Sequence, residues 1–352
     1  MRHGYYHACS VQRLEAGFDS AGRLTAWRHR VSSPSIATIY LPFLKRMLGL
    51  ELGQGILDLA LDVPNVSAET LPAPTRLRIG WLRSVFNINH GFAIQSFVDE
   101  LARKQGVSTP EMLKTVLGPP RILTRKESGG PLPGYGSGGH DIDVGRWHGV
   151  IDDVVAQSGY QQDRDGEAAF GFGAHASFSS YVAAVVRVVR DRRGRPQVDE
   201  AWISVDAGLI ANPDRCRAQM EGAVIFGATV ALHGEITYRG GAVEQSNFHD
   251  YPILRMNADG LPERRVQPRR LAGRLGPRRG SRGGAERRPP HPRGQPAAAQ
   301  LCGLAARQPR RARGLPRPLG RHRRAPRRRP AVCTVQRQRD LQQCCGRRGT
   351  DL

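Results

Sequence analysis

Residues 80–104 read GWLRSVFNINHGFAIQSFVDELARK. Phe92, Ile94, Phe97, Val98, Leu101 and Ala102 recur at near-helical spacing, so one face of a helix over about residues 90–104 is apolar and buried. A second helix is expected from Thr109-Pro110-Glu111, a cap residue followed by proline, to the breaker Gly118-Pro119-Pro120. Upstream, two runs at residues 11–17 and 24–31 flank the turn-prone Asp19-Ser20-Ala21-Gly22 and read as a β-hairpin. Downstream, residues 180–190 and 197–205 read as strands, and Asn212-Pro213-Asp214 has the form of a capped helix start, running to about residue 232. A last hairpin turns at Gly240-Gly241. These elements define an α+β fold.

Charge divides the 352-residue chain unevenly. Of 53 basic and 31 acidic residues, 26 arginines and four acidic residues lie in 261–352, so that stretch holds the entire excess of +22. Residues 1–260 carry 27 of each sign and are neutral overall. They also contain only two of the six cysteines, Cys9 and Cys216, too few for a disulfide framework or a metal cluster. His3 and His7 stand four apart without a helix signature and read as surface residues. The most apolar stretch, 36–63, is interrupted by Lys45, Arg46, Glu51 and Asp58, and does not read as a membrane span.

Beyond residue 260 there is no Phe, Tyr, Trp, Ile, Met, Asn or Lys, while Arg, Pro, Gly and Ala dominate. Such a composition cannot bury enough apolar surface to offset the entropy of ordering, so 261–352 is expected to be disordered. One reading is a nucleic-acid-binding arm drawn to phosphates by charge, but arms of that kind mix Lys with Arg and add stacking aromatics. The other is an out-of-frame translation, because the missing residues have AT-rich codons and the abundant ones GC-rich codons. Residues 289–295, PPHPRGQ, shifted by one base permit Pro-Pro-Ile-Pro-Ala-Ala-Asn, a segment of ordinary globular character.

Three stretches go beyond fold class. Gly80-Trp81-Leu82-Arg83-Ser84-Val85, followed by Phe92-Ala93-Ile94-Gln95-Ser96-Phe97-Val98-Asp99-Glu100-Leu101-Ala102, resembles the "WRSV … FxxESFxDELA" passage of the xanthine dehydrogenase and aldehyde oxidase family. Val205-Asp206-Ala207-Gly208, Asn212-Pro213 and Gln219-Met220-Glu221-Gly222 are similar to its "D-x-G … N-P … Q-x-E-G" strand-to-helix passage. Gln245-Ser246-Asn247-Phe248-His249-Asp250-Tyr251-Pro252 resembles the version in that family's isoquinoline 1-oxidoreductase branch, in its β-subunit.

The resemblance covers about residues 1–257 and corresponds to the second half of a longer, molybdopterin-binding large subunit. It implies a partial molybdopterin-binding region at 1–127 and a molybdopterin-binding region at 140–260, on either side of a Gly/Pro-rich linker at 128–139 and ahead of the tail at 261–352. It also implies molybdenum held by molybdopterin cytosine dinucleotide, and hydroxylation of N-heterocycles or aldehydes with water as the oxygen source. Electrons would leave to a small [2Fe-2S] partner subunit. Carried over residue by residue, Arg83 and Ser84 fall on the segment lining the molybdenum pocket, and Gln219 on the glutamine that hydrogen-bonds the pyranopterin.

The family's catalytic glutamate, in a "GGxGE" stretch, would fall inside the tail. Glu286 follows Gly283-Gly284-Ala285 but is itself followed by Arg287-Arg288, and it is not assigned that role. With the base and the family's first half missing, the chain by itself is expected to be an inactive fragment of an enzyme that is periplasmic or cytoplasmic when intact. Resequencing the gene through codon 352 tests the tail. One base gained or lost near codons 257–263, with a "GGxGE … PPI" segment restored in the corrected frame, is the expected result; a frame confirmed as written refutes the out-of-frame reading.

Overall fold

The computed structural model describes residues 4–75, 77–124, 141–160, 168–191, 193–254, 267–268 and 331–335. The linker at 128–139 lies outside them, and so does all of the tail except Gln267–Pro268 and Ala331–Val335. Every described residue belongs to one compact unit.

The first hairpin forms where the turn chemistry requires it. Strands β1 (Val11–Phe18) and β2 (Leu24–Ser32) pair antiparallel, Ala16 opposite Trp27. Asp19 closes the turn by accepting from the backbone of Ala21 and Arg23 at 3.0 and 2.9 Å. After a 3₁₀ turn at Ile36–Ile39 and a short helix α1 (Gly49–Leu52), β3 (Asn65–Leu71) returns parallel to β2. The carboxylate of Glu51, one of the charges interrupting the apolar stretch, is interior. It accepts from Ser35 Oγ and from the amides of Ile36 and Leu48 at 2.7–3.0 Å, tying α1 to the 3₁₀ turn.

Helix α2 (Asn87–Gln105) begins three residues earlier than its apolar spacing suggests, directly after the buried Phe86. It ends at Gly106 in the left-handed region. Helix α3 (Thr109–Leu117) is capped by Ser108 rather than Thr109. The Ser108 hydroxyl and Glu111 carboxylate form a reciprocal capping box, and Pro110 sits in the first turn. Short strands β4 (Ile122–Leu123) and β5 (Ile142–Asp143) pair, and Asp143 caps helix α4 (Val144–Ser158) by accepting from Arg146 N at 3.1 Å.

An antiparallel meander follows: β6 (Ala168–Ser177), β7 (Ser180–Arg190) and β8 (Pro196–Asp206), with Phe178 and Ser179 at the β6–β7 turn. Helix α5 (Pro213–Leu232) is capped by Asn212 as the sequence predicts. The small hairpin β9 (Tyr238–Arg239) and β10 (Ala242–Val243) turns at Gly240-Gly241, both at positive φ. Strand β11 (Gln267–Pro268) runs parallel beside β8, and β12 (Ala331–Val335) antiparallel beside β1. The two larger sheets are therefore ordered β12-β1-β2-β3 and β11-β8-β7-β6.

The larger of two apolar cores joins the sheets through α2, α3 and α4; the smaller gathers Val31, Met47, Ile56, Ile79 and Phe86. Ala16 and Trp27 from the hairpin meet Ile94, Phe97 and Leu101 of α2, which share the cluster with Leu113, Trp147, Ile151, Phe170 and Val185. On the outer side of this layer the Gln95 amide reaches β6. It donates to Ala174 O at 2.5 Å and accepts from Ala174 N at 3.2 Å, so a helix side chain bonds a strand as a neighbouring strand would.

Trp27 is 2% exposed and stands edge-on to Phe97, ring centroids 5.1 Å apart. Replacing Trp27 with alanine removes the largest contact between hairpin and α2, and is expected to cost about 3–5 kcal/mol. Urea unfolding measures it; a loss near zero would mean the hairpin is not part of the cooperative core.

Candidate functional site

The segment before α2 is a strained bend. Ser84 and Val85 have φ of 72° and 50°. That region is uncommon for any residue with a Cβ and a genuine outlier for β-branched valine. The bend is stitched by Val85 N to Leu82 O and Asn87 N to Ser84 O, both 2.9 Å. The His7 ring, half-buried rather than on the surface as its spacing from His3 suggested, meets Val85 O through Nε2 at 2.9 Å. Phe86 is fully buried and stacks on His90, centroids 5.8 Å apart.

Beneath the bend lies a buried polar layer. His175 of β6 bonds through Nε2 to Asn87 Oδ1 at 2.9 Å, and His90 bonds through Nδ1 to Gln54 O at 2.8 Å. His29 bonds through Nε2 to Gln12 Oε1 at 2.7 Å and faces His90 at 6.0 Å. Gly55, at φ 110°, passes so close that a Cβ there would stand 2.9 Å from His90 Cβ, so only glycine fits. Asp58 bonds Gly55 N at 2.6 Å and closes the layer below.

Burial sets the charge of this layer. Desolvation holds His29 down to about 3, with His90 adding to the effect, and lowers His90 and His175 to about 4. The same desolvation pushes the Asp58 carboxyl up to about 7 against the Gly55 amide that opposes it. All three imidazoles are neutral at pH 7.

The bend projects Arg83 and Ser84 outward, both exposed. Arg83 Nη2 donates to Gln219 Oε1 at 2.5 Å across 136 residues of sequence. Gln219 is exposed on the second turn of α5. The fold thus brings Arg83 and Gln219 into contact, with Ser84 beside them at the apex of the bend. A guanidinium offers a fork of donors and an amide offers donor and acceptor together, a set suited to the edge of a polar heterocycle or to an anionic group. Among the described residues no group of three or more His, Cys, Asp and Glu could hold a metal ion. The donor set of Arg83 and Gln219 suits a polar organic ligand rather than a bare metal ion.

Other motif residues shape loops. Asp206 forms a two-point ion pair with Arg146. The 245–252 stretch contains a tight turn. Asp250 accepts from the amides of Ser246 and Asn247 and from Ser246 Oγ at 2.8–2.9 Å, and those bonds hold its carboxyl down to about 2. Sequence reasoning missed His175 and Asn87 as supports of the bend, and no local pattern marked them.

Residues 147–258 match the molybdopterin cofactor-binding domain family. The chain is 28% identical over 257 residues to the beta subunit of isoquinoline 1-oxidoreductase from Brevundimonas diminuta, a match covering 71% of this chain and 29% of that relative. It is 25% identical over 252 residues to the B subunit of nicotinate dehydrogenase from Pseudomonas putida, covering 69% and 20% respectively. In structure it is similar to quinoline 2-oxidoreductase of Pseudomonas putida 86, with a TM-score of 0.52 and 12% identity over 73% of this chain and 55% of that one. It is likewise similar to aldehyde oxidoreductase of Desulfovibrio gigas, with a TM-score of 0.51 and 10% identity over 66% and 41%.

The fold is that of the molybdopterin-binding part of molybdenum hydroxylases, residues 147–258 match the cofactor-binding domain, and the chain is similar to the large subunits of those enzymes. It spans about a third or less of the length of the curated relatives it matches. All of these relatives are oxidoreductases or dehydrogenases, and they lend the nucleic-acid reading of the tail no support. Among the described residues no helix is long and apolar enough to cross a membrane.

The histidine layer makes stability depend on pH. Each folded-state imidazole pKa lies below the ordinary 6.5, so below pH 6.5 the unfolded chain takes up protons that the folded one refuses. Asp58, raised to about 7, acts in the opposite sense and stabilises the fold as pH falls. Three groups against one leave a net loss of up to about 2–3 kcal/mol per pH unit between about pH 6 and 4. Urea midpoints at pH 7.0, 6.0 and 5.0 should fall steeply; a flat series would contradict neutral burial.

Proposed function

We propose that this chain supplies one wall of the molybdopterin site of a molybdenum hydroxylase large subunit. Arg83 and Gln219 grip the pyranopterin there, and the Ser84 bend brings backbone against it. The observation that carries this is the Arg83–Gln219 contact, which joins two motif passages 136 residues apart at the tip of a strained bend. Gln219 presents an amide to a heterocycle edge. Arg83 holds that amide in orientation while its other N–H groups point donors at anionic oxygens.

The cofactor, expected as molybdopterin cytosine dinucleotide, supplies the redox chemistry when bound: a carbon beside nitrogen or oxygen is hydroxylated with oxygen from water. The substrate class is an N-heteroaromatic or an aldehyde, in keeping with the relatives' names, and the electrons pass to a separate [2Fe-2S] subunit. What this chain's residues contribute is binding and orientation. The neutral histidines beneath the bend keep its interior free of charge, and Phe86 anchors it to the core.

Expression in a host that makes the cofactor, followed by fluorescence assay of oxidised pterin and metal analysis of the purified chain, tests the assignment. The chain should retain pterin, and Gln219→Ala or Arg83→Ala should lower retention about 10-fold, as expected for loss of a charge-assisted hydrogen bond worth about 1.5 kcal/mol. Equal retention in all three proteins would reject the assignment.

A further inference from the structure

Helix α5 is held unusually. Along its 20 residues only Thr229 is buried, so no apolar face fixes its direction. Its C-terminal end is tied by Thr229 Oγ1, which accepts from Leu254 N at 3.3 Å, and by Gly234 N to Thr229 O at 2.8 Å. Its N-terminal end follows a turn in which Gly208 has φ 74° and Leu209 is 93% exposed. Of the apolar residues in that turn only Ile210 is even half-buried.

What does anchor it is a polar clamp at the end of β8. Arg146 Nε and Nη2 donate to Asp206 Oδ2 and Oδ1 at 2.9 and 2.6 Å. Asp206 Oδ1 also accepts from Gly208 N at 3.0 Å, so the same carboxylate fixes the first peptides of the turn. The Arg146 guanidinium lies 4.8 Å over the Tyr181 ring, and Tyr181 is 2% exposed. The Tyr181 hydroxyl accepts from Asp143 N at 2.7 Å, and Asp143 caps the helix that carries Arg146. The arginine is therefore oriented by the ring beneath it and by the capped start of its own helix before it meets its carboxylate. The pair holds the Asp206 carboxyl below the usual range.

We propose that Arg146 and Asp206 are positioning residues that aim α5, and through it Gln219, at Arg83. Geometry gives them leverage. Gln219 lies six residues beyond the start of α5, about 9 Å along the axis at about 1.5 Å per residue. A tilt of about 15° at the clamp would move it by about 2 Å, more than a hydrogen bond tolerates. The relevance of this aim to a cofactor rests on the function proposed above; the aim itself does not.

Hydrogen exchange on the full chain tests the clamp. In Arg146→Ala, amides of residues 206–222 should exchange about 10-fold faster or more, while those of 94–102 in α2 and 170–176 in β6 keep their rates. Arg146→Lys, which retains the charge but not the two-point geometry, should fall between. Unchanged exchange over 206–222, or a uniform rise across all segments, would overturn the proposal. If 206–222 loosens in Arg146→Ala but Gln219→Ala retains pterin like the parent chain, the clamp stands and the cofactor assignment falls. If 206–222 stays protected, the clamp falls whatever the pterin content.

Discussion

Ser84 and Val85 hold a backbone conformation that side-chain-bearing residues avoid, at a cost of about 1–3 kcal/mol each. A bend of this kind persists only when its surroundings over-determine it. Here they do so from three directions: the Phe86 ring in the core, the Asn87 amide closing back on Ser84, and the His7 ring on Val85 O. Asn87 is itself held by His175, from a strand 88 residues away. The bend thus draws together the hairpin end of the molecule and the meander, and the exposed Arg83 inherits its position from both.

The two sides of the candidate site are built by different physics. Arg83 stands three residues before the buried Phe86, where close packing holds the backbone. Gln219 stands on a helix fixed at its ends by directed polar contacts. The family passages divide along the same line. Arg83 and Gln219 meet each other in the open, whereas Asp206, Asn212 and Asp250 spend their side chains on turns and helix starts. Most of a motif's length is scaffolding for one or two exposed groups.

Much of the fold was legible in the sequence because it depends on local chemistry. The Asp19 turn, the Asn212 cap and the Gly240-Gly241 turn each follow from residues within four positions of one another, and all formed where expected. Arg83 and Gln219 were singled out only by resemblance, and nothing local foretold that they would touch. Helix α4 was missed although Val144, Trp147, Ile151 and Val154 mark one face. Its start depends on Asp143 capping just beyond an uninformative Gly-rich stretch. The histidine layer was illegible for a deeper reason. His29, His90 and His175 are dispersed over three elements, and nothing in their neighbours reports that burial will strip them of charge.

One margin of the β11-β8-β7-β6 sheet lies at β6, which has no strand on its outer side among the described residues. A free margin is a template on which a foreign chain can assemble. Gln95 occupies the middle of it, and its amide takes up both backbone groups of Ala174. The imitation is one residue wide, yet it takes up two backbone groups that an incoming strand would need in register. The same glutamine that fastens α2 to the sheet thereby makes β6 a poor seed for fibrils, a protection supplied from inside the fold rather than by charge upon its surface.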